Sequence, residues 1–132
     1  MHVIAVDDDH AGRELLRMVL EASGHTVRTA ASVAGVPEIA AAAVGTTVVV
    51  TDLLMGGAGD DGYRLIEAIR SDPALDPVGV VAVTGVTSGR DLARARAIGA
   101  DACIAKPIDV THFLRVLDEV VATRPAPRTG SG

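Results

Sequence analysis

The sequence predicts an α/β protein, a doubly wound five-stranded parallel sheet with helices on both faces, and three observations lead there. Short runs rich in Val, Ile and Thr alternate five times with longer stretches whose apolar residues recur at helical spacing. One run, residues 46–51 (TTVVVT), reads as a strand buried on both faces of a parallel sheet. The chain has 132 residues, most simply one domain, and its 48% hydrophobic share comes mainly from Ala and Val. With Tyr63 and Phe113 as the only aromatic residues, the core must be aliphatic.

Taken in order, His2–Val6 (HVIAV) is the first strand. Residues 11–22 form a helix with a one-sided stripe of Leu15, Leu16, Val19 and Leu20, and Gly24 is placed to end it. Residues 25–29 are a weaker second strand. A second helix lies within 33–43, its regular part starting at Pro37, a residue suited to a first turn. After the third strand, Asp61 is available to cap a helix that turns Leu65, Ile66 and Ile69 inward. Residues 78–84 (VGVVAVT) are the fourth strand. Ser88 to Asp91 resembles a capping box and opens a helix running to about Gly99. Ala102–Ala105 is the fifth strand. Asp109 caps the last helix, whose apolar face is Phe113, Leu114, Leu117, Val120 and Val121. Residues 1–123 are thus the folded domain. Residues 124–132 (RPAPRTGSG), rich in Pro, Gly and small polar residues, read as a linker or disordered tail.

A net charge of −5 and the lack of any basic run argue against nucleic-acid binding by this domain. No apolar stretch approaches the ~20 residues that span a bilayer. The start, MHVIAVDDDH, lacks the cationic opening of a signal peptide. One cysteine, Cys103, allows no internal disulfide. These features place the protein in the cytoplasm, away from membranes.

Sites in parallel sheets lie beyond the carboxyl ends of the strands, near a switch in strand order. There the sequence places Asp7, Asp8 and Asp9 after the first strand and Asp52 after the third. Thr84 follows the fourth, and Lys106-Pro107 the fifth. Carboxylates brought so close repel one another and raise each other's pKa values. A divalent cation relieves that, and an all-oxygen set retaining waters suits Mg²⁺, with Mn²⁺ as an alternative. A carboxylate beside such a cation and a lysine is a credible phosphoryl acceptor, since both neutralise charge on the transferring oxygens. Taken singly, Asp52 could be a turn cap, Thr84 a strand-end hydroxyl and Lys106 a surface amine, and Asp9 reads as the cap of the first helix. Arg90, Arg94 and Arg96 read as the solvated face of the fourth helix, and Asp60 and Asp61 as loop and cap residues.

This ordered set resembles the receiver domain of two-component response regulators, of which the chemotaxis regulator is the single-domain example, and the resemblance covers residues 2 to about 123. It implies a flavodoxin-like (βα)5 fold with Asp52 as phosphoacceptor. Asp7 and Asp8 become the acidic pair for Mg²⁺, joined by Asp52 and the Leu54 carbonyl. Thr84 becomes the switch hydroxyl that turns toward the phosphoryl group, and Lys106 the ion-pair partner of that group, followed by a cis bond to Pro107. Partners implied are a histidine kinase or histidine phosphotransfer protein, and a downstream protein or output domain at the face of the fourth helix, fifth strand and fifth helix.

The sequence departs from the family pattern at two places. Met55 is followed by Gly56 rather than proline, and Asp61-Gly62 lies two residues farther from Asp52 than usual, lengthening the loop 56–60. Three residues before Lys106, where an aromatic ring is usual, stands Cys103. Two other functions compete. A degenerate receiver would bind partners without phosphorylation, against which the intact acid set argues. A Mg²⁺-dependent phosphatase of the haloacid dehalogenase type needs a second Asp two residues after the nucleophile, where this chain has Leu54.

Overall fold

The computed structural model describes residues 1–55, 59–85 and 89–124. In chain order the elements are β1 (His2–Val6), α1 (His10–Ala22), β2 (Thr26–Ala30), α2 (Val36–Ala42), β3 (Thr47–Asp52) and α3 (Asp61–Ser71). A single 3₁₀ turn (Pro73–Leu75) follows, then β4 (Gly79–Thr84), α4 (Gly89–Ile98), β5 (Ala102–Ala105) and α5 (Val110–Thr123). The strands form one five-stranded sheet in the order β2-β1-β3-β4-β5, every neighbouring pair parallel. This is the flavodoxin-like α/β architecture expected.

Period-two alternation along the strands divides the core into two layers. Val3, Ala5, Val48, Val50, Val81, Val83 and Ile104 face α1 and α5, where Leu16, Leu20, Phe113, Val116, Leu117 and Val120 close over them. Ile4, Val6, Val49, Val80 and Ala82 face α2, α3 and α4, packing on Val36, Ala40, Ile66, Ile69 and Ala95. The central strands β3 and β4 are buried almost end to end, as an uninterrupted apolar run requires.

The helices differ from expectation in instructive ways. Leu15 is 58% exposed although it belongs to the apolar stripe of α1, because α1 needs only Leu16 and Leu20, one turn apart, to seal the sheet. Met18 stands outside with it at 63%. Val116 joins the buried face of α5, while Leu114 and Val121 are only partly covered. The second helix begins at Val36, one residue before Pro37, after Gly35 in the left-handed region at φ 77°. The second strand sits one residue later than expected.

Asp61 is the first residue of α3 rather than its cap, and Asp60 in the cap position makes no side-chain capping bond. The first amides of α3 are satisfied by the preceding loop instead. Asp61 N–H donates to the Met55 carbonyl at 3.0 Å and Gly62 N–H to the Leu53 carbonyl at 3.2 Å. Asp9 and Asp109 cap α1 and α5 as expected, accepting from the amides of Gly12 and His112. The expected cap at Ser88 lies outside the described residues.

At the opposite end of the sheet from the acids, Asp101 ties four segments together. One oxygen accepts from Val80 N–H and from the Arg70 guanidinium, each at 2.8 Å. The other meets Arg124 at 2.9 Å. Arg70 also donates to the Gly99 carbonyl at 2.9 Å, and Arg124 to the Asp76 carbonyl at 2.9 Å. The side chain of Asp101 is 12% exposed, so these bonds replace water around a desolvated carboxylate. No helix among the described residues is long and apolar enough to cross a membrane.

Candidate functional site

The chain runs from β1 out to β2 and then back across β1 to β3, and this reversal of strand order opens a crevice between the carboxyl ends of β1 and β3. The parallel register pairs Val6 with Thr51. One step farther it sets Asp7, just past β1, beside Asp52, the last residue of β3. On the other side Asp52 is paired with Val83, and Thr84 with Ala105, so Thr84 and Lys106 arrive at the same edge.

Lys106 joins the two acids. Its ammonium donates to Asp52 Oδ2 at 2.9 Å and to Asp7 Oδ2 at 3.4 Å. Asp7 is 4% exposed, and its other oxygen accepts from Asp9 N–H at 2.9 Å. The Asp7 carbonyl is held by Arg13 Nη1 at 2.8 Å, which shapes the turn into α1. Asp52 Oδ1 accepts from Leu54 N–H at 3.1 Å. Each carboxylate therefore has one oxygen fixed by backbone and the other turned to the shared ammonium. Burial opposes the charge on Lys106, but the hydrogen bonds and charges of Asp52 and Asp7 outweigh it and hold the amine above its ordinary 10.5. The lysine stays cationic through neutral pH, and its ion pairs weaken only at strongly alkaline pH.

Thr84 is fully buried at the end of β4, and its carbonyl accepts from Lys106 N–H at 2.9 Å. The Lys106–Pro107 peptide is cis. Asp8 stands exposed at the rim, and the Leu54 side chain is 47% exposed beside Asp52. Cys103 is partly buried and packs on the layer under α2, α3 and α4 as a small filler. Burial pushes its thiol pKa up, against the opposing charge and hydrogen bond of Arg96.

Among the described residues no three His, Cys, Asp or Glu side chains stand close enough to hold a metal by themselves. Two carboxylates that converge on one cation are nevertheless the donor set that Mg²⁺ uses, since it keeps most of its waters and takes one or two carboxylates. Asp7 and Asp52, facing each other across the Lys106 ammonium, fit that pattern.

Three features escaped the reading of the sequence. Arg13 reaches back to the Asp7 carbonyl. A Cβ on Gly62 would lie 2.0 Å from the Asp52 carbonyl and 2.5 Å from Leu53 Cα, so α3 starts in direct backbone contact with the acid-bearing loop. Arg94 is not simply solvated: its guanidinium lies 3.9 Å from the centroid of the Tyr63 ring. Only the second had a signal, a glycine opening a helix.

Comparison with known proteins finds relatives of this fold. A two-component response regulator of Oryza sativa subsp. japonica is 25% identical over 122 residues, covering 91% of this chain and 71% of its own. The crystallised chemotaxis response regulator CheY4 of Vibrio cholerae is 26% identical with a TM-score of 0.78, covering 90% of this chain and 97% of its own. The receiver domain of a sensor histidine kinase of Pseudomonas aeruginosa PAO1 shares the fold at 19% identity, with a TM-score of 0.80 over 92% of this chain and 98% of its own. That domain carries a magnesium ion in its active-site cleft. The family model for the response regulator receiver domain matches residues 3–118, from the first strand through most of α5. The acids, the hydroxyl and the lysine thus stand on strand ends of a fold matched along nearly its whole length, and the chain belongs to the response regulator receiver domain family.

Proposed function

We propose that this receiver accepts a phosphoryl group on Asp52 within a two-component phosphorelay and passes the signal on by changing shape. The observation that carries the reading is the shared ammonium: Lys106 Nζ binds one oxygen of Asp52 at 2.9 Å and one of Asp7 at 3.4 Å. Asp52 Oδ2 attacks the phosphorus of a donor phosphohistidine, the P–N bond breaks, and the histidine nitrogen leaves with its electron pair and takes a proton. Lys106 stays with the oxygens on which negative charge gathers. Thr84, buried next to them at the end of β4, is the hydroxyl that turns toward the new phosphoryl group. Asp7, Asp8 and Asp52, with the Leu54 carbonyl, would hold Mg²⁺ (or Mn²⁺). The ion supplies electrostatic stabilisation of the transferring phosphoryl. The protein is an acceptor rather than a turnover enzyme.

The donor is a histidine kinase or histidine phosphotransfer protein. Leu54, exposed and bonded through its N–H to Asp52, offers it an apolar contact beside the acceptor. The output partner, a downstream protein or an attached domain, meets the face of α4, β5 and α5. The receiver spans residues 1–123 and is joined by Arg124, which is tied to Asp101 and to the Asp76 carbonyl rather than belonging to a tail. The rest of the expected linker or tail, 125–132, lies outside the described residues. The domain works in the cytoplasm without contacting nucleic acid or membrane.

Incubation with acetyl phosphate and Mg²⁺, followed by intact mass, tests the reading. Addition of one phosphoryl group that excess chelator prevents is expected. A chain that stays unlabelled, yet still captures its partner, would instead be a degenerate receiver.

The phosphorylated form should be long-lived for a receiver. Leu54 and Val86 occupy the positions two residues after Asp52 and two after Thr84, and neither side chain can hydrogen-bond a water aligned with the acyl phosphate. Val86 lies outside the described residues, while Leu54 is exposed beside Asp52. Orientation of the nucleophile is a large share of phosphoryl-transfer catalysis, so Leu54→Asn with Val86→Glu should speed decay by roughly tenfold or more. Equal decay of parent and double variant in Mg²⁺ would refute this role for the two residues.

A further inference from the structure

The start of α3 connects Asp52 to α4. Gly62 sits backbone to backbone against Asp52 and Leu53, near enough that no Cβ fits between them. Its N–H, with that of Asp61, is bonded to carbonyls of the loop that follows Asp52. Helix α3 therefore cannot keep its place if that loop moves. The next residue is Tyr63, whose ring is 2% exposed within the same core layer as Leu53 and Met55.

On its far side this ring holds α4. Tyr63 Oη donates to the Asp91 carbonyl in the first turn of α4 at 3.4 Å. One turn farther along, the Arg94 guanidinium lies 3.9 Å from the ring centroid. Helix α4 contributes one fully buried apolar side chain, Ala95, where α3 contributes Leu65, Ile66 and Ile69 besides Tyr63. A helix so lightly packed depends on a few contacts for its position, and two of them come from one tyrosine.

We propose that Tyr63 is a mechanical link by which occupancy of Asp52 moves α4, through the contact of Gly62 with the acid-bearing loop and the grip of the ring on Asp91 and Arg94. The link rests on Asp52 being the phosphoacceptor. It uses the α3 side of α4. A phosphoryl group with its cation enlarges the group at Asp52, the loop carrying Leu53 and Met55 shifts, α3 shifts with it, and the hold on α4 changes. Arg94 and Tyr63 are positioning residues here, since neither touches Asp52.

The chain has one tyrosine and no tryptophan, so its intrinsic near-ultraviolet emission reports on Tyr63. The test follows that emission and amide exchange in α4, with and without beryllofluoride and Mg²⁺, in the parent, Tyr63→Phe and Arg94→Ala. Labelling by acetyl phosphate is measured alongside. In the unliganded state Tyr63→Phe should speed exchange in α4 by roughly threefold to tenfold, the worth of one hydrogen bond. Beryllofluoride should shift tyrosine emission in the parent and change exchange in α4. Arg94→Ala should lose most of the emission shift, and Tyr63→Phe most of the exchange response, while both variants label as fully as the parent. A parent that labels but shows the same α4 response in Tyr63→Phe overturns the link and leaves the phosphoacceptor reading standing. A parent that neither labels nor binds beryllofluoride overturns both.

Discussion

Asp52→Asn is expected to abolish labelling by acetyl phosphate, a loss on the order of a hundredfold or more, because an amide cannot act as the oxygen nucleophile. The fold should survive. Asparagine has nearly the same volume, and its oxygen can still accept from Leu54 N–H, the bond now 3.1 Å long. Its ion pair with Lys106 is lost, but that lysine side chain is 37% exposed, and pairs so open to water contribute about 0–1 kcal/mol. Removing one of two facing carboxylates also relieves repulsion of Asp7. Stability should thus stay within ~1 kcal/mol of the parent. Lys106 should titrate lower, toward its ordinary value, since Asp52 is the main influence raising it. Intact mass, urea unfolding and titration of the lysine measure the three effects. Full labelling of Asp52→Asn would move the acceptor elsewhere.

Gly62→Ala should damage fold and site together. The added Cβ would lie 2.0 Å from the Asp52 carbonyl oxygen and 2.6 Å from that of Leu53, and neither backbone atom can swing aside as a side-chain tip could. Either α3 backs away from the sheet or the loop carrying Asp52 is pushed toward the crevice. Backing away uncovers a layer in which Tyr63, Leu65, Ile66 and Ile69 are all buried. Overpacking typically costs about 1–3 kcal/mol, and a clash against backbone belongs at the upper end of that range. If the loop yields instead, Asp52 leaves its bond with Lys106 and labelling slows even in the folded fraction. Urea unfolding and the initial labelling rate, normalised to folded protein, separate the two responses. A variant matching the parent in both would show that α3 is free to shift and that its contact with the acid-bearing loop does not matter.

The strands and the residues standing at their ends can be read from the chain alone. Strand identity is a local property: β-branched runs such as residues 47–50 have one apolar solution, and the helices between them dictate parallel pairing. Once the strands are parallel, Asp7, Asp52, Thr84 and Lys106 must share an edge, so the candidate site was legible from spacing alone. Legible, too, were Asp9 and Asp109 as caps, because a cap acts on amides two or three residues away.

How those elements lean on each other is set by packing and could not be read from the chain. Whether Leu15 is buried depends on how α1 lies on the sheet. The amides opening α3 could have been capped by Asp61, but the Leu53 and Met55 carbonyls reach them first. Asp101 holds Arg70, 31 residues earlier, and Tyr63 reaches Asp91, 28 residues later. Such pairs leave no periodicity in the chain. Their partners are chosen by packing, where a side chain's neighbours come from other helices and strands rather than from its own.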